Sequence, residues 1–101
     1  MKKKTAKLSK LERNRYSILT NDLEKCFICK KPADDLHEIF CGSKRQASMK
    51  HGFCVPLCRY CHIIVTNSYK FDAELRSLCQ LKFETAHSRE EFIAIIGRNY
   101  L

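Results

Sequence analysis

Cys26-Phe27-Ile28-Cys29 and Cys58-Arg59-Tyr60-Cys61 are two cysteine pairs of identical spacing, and His62 follows the second at once. A Cys-x-x-Cys turn presents two thiolates from one tight knuckle, and a tetrahedral Zn²⁺ takes four of them at about 2.3 Å. Two knuckles make a Cys₄ site, so structural zinc is expected on Cys26, Cys29, Cys58 and Cys61. Residues 30 to 57, 28 in all, separate the pairs, more than a compact zinc ribbon needs. Zinc would pin distant parts of the chain around this insert.

The remaining composition fits such a staple. A chain of 101 residues is expected to form one domain with a modest core, and a metal helps a chain of this size to fold. Lys and Arg number 19 against 11 Asp and Glu, a net charge of +8, which favours a polyanionic partner such as nucleic acid. The charged start, Met1-Lys2-Lys3-Lys4, lacks the apolar run of a signal peptide. No stretch reaches the roughly 18 apolar residues of a membrane span. The expected place is therefore a reducing cytoplasm, with no membrane partner, where seven cysteines argue for metal over disulfides. Cys41, Cys54 and Cys79, left over from the four ligands, read as small apolar residues.

Residues 1–16 form a basic N-terminal arm, with a short helix expected around Leu8 to Tyr16; it reads either as a solubilising tail or as a strip lying along phosphates. Residues 17–101 form a single zinc-braced domain. Asp35 to Phe40 and Phe53 to Leu57 read as short strands. The polar, basic stretch from Gly42 to Gly52 reads as a loop with room for one helical turn, and its Lys44, Arg45 and Lys50 are the candidate nucleic-acid contacts. A helix is expected from the second knuckle to about Asn67 and another from Phe71 to about His87. Ser88 and Glu91 form a capping box for a third helix, which Gly97 ends. His51 and His87 sit at helix ends or on the surface and take no role.

The order is knuckle, strand with the polar pair His37-Glu38, loop, strand, knuckle, and helix opening on His62. It resembles the HNH endonuclease family, whose ββα-metal site is often braced by a Cys₄ zinc. Leu36-His37-Glu38-Ile39 matches the first motif, and Val55-Pro56-Leu57-Cys58-Arg59-Tyr60-Cys61-His62 the last. Together with Leu11 to Thr20 and Arg89-Glu90-Glu91-Phe92, the arrangement looks like small HNH-like proteins of phages and prophages.

That resemblance implies a small α+β fold, a treble-clef/ββα-metal zinc-finger core with two additional C-terminal helices. It implies a DNA endonuclease that hydrolyses phosphodiester bonds with Mg²⁺ or another divalent cation. DNA would be the partner, in the cytoplasm of a host cell, with protein partners in phage recombination or replication. By position, His37 and His62 would hold the catalytic cation, Asn67 less directly, and Glu38 would activate water as the catalytic base. The chain departs from the family at three points: Glu38 stands where a histidine is usual, Phe53 where an asparagine is usual, and Thr66 in the last ligand position. Adjacent strand residues also point to opposite faces, so His37 and Glu38 share a site only where the strand ends or kinks. The alternative function is a catalytically inactive fold of this type that binds nucleic acid without cutting it.

Overall fold

The computed structural model describes residues 5–101; the expectations placed on the first four lie outside the described residues. Five α-helices and one two-stranded sheet make up the fold: α1 (Ala6–Arg13), β1 (Asp35–Glu38), α2 (Arg45–His51), β2 (Cys54–Leu57), α3 (Arg59–Asn67), α4 (Tyr69–Phe83) and α5 (Arg89–Ile96), with a 3₁₀ turn, Gly42–Lys44, ahead of α2. The class is mixed α and β, as expected.

β1 and β2 pair antiparallel, with Asp35 opposite Leu57, Leu36 opposite Pro56, His37 opposite Val55 and Glu38 opposite Cys54. Side chains alternate along a strand. One face therefore carries Asp35 and His37, and the other Leu36 and Glu38. The first face meets α3. The second meets α2 through Arg45, which also bonds Glu12 of α1, and meets Arg15 from the segment after α1. This division decides which groups share a site.

The stretch expected to be a loop with room for one helical turn instead holds the 3₁₀ turn Gly42–Lys44 and the seven-residue α2, Arg45–His51. Ser48 and Met49 are buried, and Ser48 Oγ donates to the Phe40 carbonyl at 2.7 Å and accepts from the Phe40 N–H at 3.1 Å. Gly52 ends the helix at φ 76°. A β-carbon there would strike the Tyr16 ring, 2.8 Å from Cδ2, so glycine is required both for the left-handed turn and for the close approach. The strands are shorter than expected, ending at Glu38 and starting at Cys54, although the Ile39 N–H still donates to the Phe53 carbonyl at 2.9 Å.

In the arm, α1 starts earlier than expected, with Thr5 Oγ1 accepting from the Leu8 N–H at 3.1 Å. α4 also starts early, capped by Ser68, and stops at Phe83. Phe71 and Leu78, which share a helix face with the buried Leu75 and Cys79 by spacing, are nearly half exposed. α5 carries the full capping box of Ser88 and Glu91 and ends at Gly97 with φ 89°, as the sequence indicates. Cys54 and Cys79 are buried, but Cys41 is exposed and is no core residue.

The core is aromatic. The Phe53 ring lies 5.7 Å from Phe40, 5.6 Å from Phe83 and 5.9 Å from Phe92, mostly edge to face, as ring quadrupoles prefer. Gln80 is fully buried and satisfied: its amide donates to Glu84 and Asn99, and its carbonyl accepts from the Tyr100 N–H. These bonds tie the C-terminus to α4. Phe53 is buried on every side, so Phe53→Ala is expected to cost about 3–5 kcal/mol, measurable as a lower urea midpoint at unchanged m-value. Among the described residues no helix is long and apolar enough to cross a membrane.

Candidate metal centre and the adjoining histidine pair

The first knuckle is built by backbone bonds. The Lys30 N–H donates to the Cys26 carbonyl at 3.0 Å, and the Cys26 N–H to the Lys31 carbonyl at 2.7 Å. Lys30 takes the left-handed φ of 68° that closes the turn. Its ammonium donates to the Phe27 carbonyl at 3.0 Å, which helps offset a strain of about 1–2 kcal/mol for a non-glycine residue. The second knuckle opens α3. Cys58 is the N-cap, its sulfur accepting from the Cys61 N–H at 3.4 Å, and Asp34 accepts the Arg59 N–H at 2.8 Å. The Phe27 N–H reaches the Pro56 carbonyl at 2.8 Å and so locks one knuckle to the other.

The four sulfurs of Cys26, Cys29, Cys58 and Cys61 all lie within 4.8 Å of one another, and those of Cys29 and Cys58 are 3.6 Å apart. Four thiolates at zinc distance would sit about 3.8 Å apart. The cage therefore fits and could hold a metal ion such as zinc. Burial opposes ionisation of Cys26, but backbone groups of Cys29, Cys58 and Ile28 and the Cys29 thiol outweigh it and hold Cys26 at about 6. Burial, and then the neighbouring sulfurs, push Cys61 the other way. The cluster thus has one sulfur primed as thiolate and a crowd of sulfurs that a cation would relieve.

One turn beyond Cys58, the His62 ring meets His37, with centroids 5.0 Å apart at 61°. His37 is buried, and its Nε2 has no hydrogen-bond partner. Burial, then the neighbouring His62, lowers its pKa, against the pull of Asp72 and Glu38. The imidazole is thereby kept neutral, the form that ligates metal. His62 Nδ1 lies 3.0 Å from Asp35 Oδ2. With Nδ1–H donated to Asp35, His62 keeps a lone pair on Nε2. That hydrogen bond, then the charges of His62 and Arg59, lowers the Asp35 pKa.

The carboxylate beside the two imidazoles is therefore Asp35. Glu38 lies across the strand, where its Oε1 accepts from Arg45 Nε at 3.1 Å and from Arg15 Nη1 at 3.3 Å. Its expected role as base is not what its surroundings fit, since these two guanidinium groups hold it on the opposite face. Arg45 also reaches Glu12 at 3.1 Å, so its Nε and Nη2 are engaged within the protein. The Asn67 amide turns back to the Ile63 carbonyl at 2.9 Å, and the Thr66 hydroxyl to the His62 carbonyl at 2.9 Å. Neither side chain is directed to the histidine pair. Lys44 and Lys50 lie at the two ends of the α2 segment. His51 stacks on Phe53 and His87 on Phe83; both are helix-end residues. Asp35 is the residue that sequence reasoning missed. Strand alternation places it on the face of His37, two positions away, which was a usable signal.

No family model, no curated protein and no solved structure matches this chain.

Proposed function

We propose that the chain is a zinc-braced, HNH-like nuclease of phage type. It would hydrolyse phosphodiester bonds in DNA with a divalent cation such as Mg²⁺, in the cytoplasm of a host cell. The observation behind this is the pair of His37 and His62: a buried imidazole whose Nε2 has no partner, beside a second imidazole held by a carboxylate. A buried ring nitrogen without a partner costs stability unless something occupies it, and the occupant that suits two imidazoles side by side is a cation. When bound, the cation supplies Lewis acidity toward a phosphate oxygen. His37 and His62 hold it, and Asp35 fixes the tautomer and ring angle of His62. Arg15 and Arg45 brace the far side of the strand through Glu38. Zinc in the Cys₄ cage braces the hinge between strand and helix. The order of knuckle, antiparallel pair, knuckle and helix supports a treble-clef-like core. The net charge of +8 supports DNA as the partner, with affinity falling as salt rises.

The test is nicking of supercoiled plasmid by zinc-loaded protein with Mg²⁺, Mn²⁺ or Ni²⁺. Cutting by the wild type that survives in His37→Leu and His62→Ala would sink the assignment. Asp35→Asn tests the supporting contact: second-cation affinity, followed by calorimetry with Ni²⁺, is expected to fall about 10–100-fold with little change in the melt. One observation favours a second reading. Glu38 is held by two arginines and Thr66 turns onto its own helix, so base and last ligand are both lacking, as suits a protein that binds DNA without cutting it. Salt-sensitive DNA binding without nicking in any of the three metals would select that reading.

A further inference from the structure

A groove of about 590 Å³ opens between α1 and α2, within the range of about 300–1,000 Å³ typical of ligand sites. It lies away from the histidine pair. Its walls are α1 and α2, joined by the bond from Arg45 to Glu12, and Arg45 in turn reaches Glu38 on the sheet face that His37 does not occupy. Leu11, Ala47 and Ile95 give it an apolar floor, and Lys7, Lys10 and Lys50 stand around it. All three lysines are exposed. None of their ammonium groups has an ion-pair or hydrogen-bond partner among the described residues, and no carboxylate lines the groove. Unneutralised charge thus surrounds a greasy trough.

Two kinds of polyanion could answer that charge, and the floor separates them. Nucleic acid is gripped by stacking its bases on open aromatic faces and by arginine forks on its phosphates. Here the floor is aliphatic. Of the two rings in the lining, Tyr16 and His51, Tyr16 has its hydroxyl engaged at 3.2 Å with the Lys50 carbonyl and its ring pressed against Gly52, and His51 already stacks on Phe53. The cations are lysines, which act as point charges without a preferred plane. An aliphatic trough between two helices is the arrangement that accepts the apolar face of a third. α1 has eight residues, about 12 Å of helix, room for roughly two turns of a partner.

We infer that this groove docks an acidic amphipathic helix of a partner protein, whose aliphatic side chains fill the trough while its carboxylates meet Lys7, Lys10 and Lys50. The cation site on the other face stays open during docking, so the groove would recruit the protein without blocking its chemistry. The inference does not depend on whether the histidine pair cuts DNA.

Fluorescence anisotropy on the zinc-loaded full chain tests it. The probe is a labelled synthetic peptide of about four turns, with leucines at i, i+3, i+4 and i+7 and glutamates elsewhere. A scrambled peptide of the same composition and a labelled oligothymidylate serve as comparators. Saturable binding of the amphipathic peptide is expected, with the scrambled one at least about tenfold weaker, a margin of about 1.4 kcal/mol. The double variant Lys7→Glu/Lys10→Glu on α1 and the single variant Lys50→Glu on α2 should each weaken the peptide by about tenfold or more. These lysines are exposed, and the melt of each variant checks its fold. Equal binding of both peptides would overturn the inference, since charge alone would then be at work. It would also fail if the peptide showed no saturable binding, if neither variant weakened it, or if the groove lysines mattered only for the oligothymidylate.

Discussion

Cys58→Ser is expected to unfold the centre of the chain and to abolish metal retention. The substitution is a clean one because Cys58 has two jobs that serine separates. As N-cap of α3 its sulfur accepts the Cys61 N–H at 3.4 Å, and a serine hydroxyl does that at least as well. As one corner of the Cys₄ cage it supplies a thiolate, which serine cannot replace near neutral pH. Whatever is lost is therefore chargeable to the ligand and not to the helix start. Structural zinc contributes about 10–16 kcal/mol in small zinc-dependent units, against a total stability of about 5–15 kcal/mol for a domain. Loss of one ligand should thus exceed what the rest can hold. Metal analysis should find about one zinc per wild-type chain and a small fraction of that in the variant. Hydrogen exchange should show residues 26–37 and 54–67 losing protection first, because both knuckles and the strand pair are tied through the cage. The cluster of Phe40, Phe53, Phe83 and Phe92 is expected to retain partial protection. A variant that melts like the wild type, together with a wild type free of metal, would remove zinc from the account.

His37→Leu and His62→Ala are expected to lower metal-dependent nicking by at least about 100-fold, and the two should part company in stability. His37 is buried with Nε2 unpartnered, a group that costs free energy where it stands. Leucine offers similar bulk without the polar atom, so His37→Leu should be neutral or stabilising. A residue whose replacement stabilises while it disarms is one retained for function. A structural histidine would show the opposite, destabilisation with no specific loss of cation binding. His62→Ala instead leaves the Asp35 carboxylate without its imidazole, half-exposed and hydratable, and should cost little. Calorimetric titration of Ni²⁺ into zinc-loaded protein follows the cation without relying on cleavage. A full second-site affinity in both variants would disprove the histidine assignment.

Much of this arrangement was legible in the chain because it is local. The Cys-x-x-Cys spacing encodes a knuckle whatever surrounds it. Ser88 and Glu91 cap α5 through groups three residues apart, and Gly97 ends that helix by its own backbone freedom. The helix that carries His62 could also be read, since it starts within the second knuckle. The region from Gly42 to Gly52 could not. Its composition is polar and basic, and its helix is held by Ser48 bonding to Phe40 eight residues away. A window along the chain cannot see that contact.

The choice of carboxylate shows the boundary most clearly. Alternation along β1 was implicit in the sequence: Asp35 and His37 on one face, Glu38 on the other. Which face α3 would cover was not. His62 meets Asp35 across 27 residues, while Glu38 is reached by Arg15, from the segment after α1, and by Arg45, from α2. The order of residues by itself determined the two knuckles, the capped helices and the histidines available to them. The packing of helices on the two faces of the sheet decided that Asp35 joins the imidazoles and Glu38 is held by arginine, because a side chain's partners are set by what folds over it and not by its neighbours along the chain.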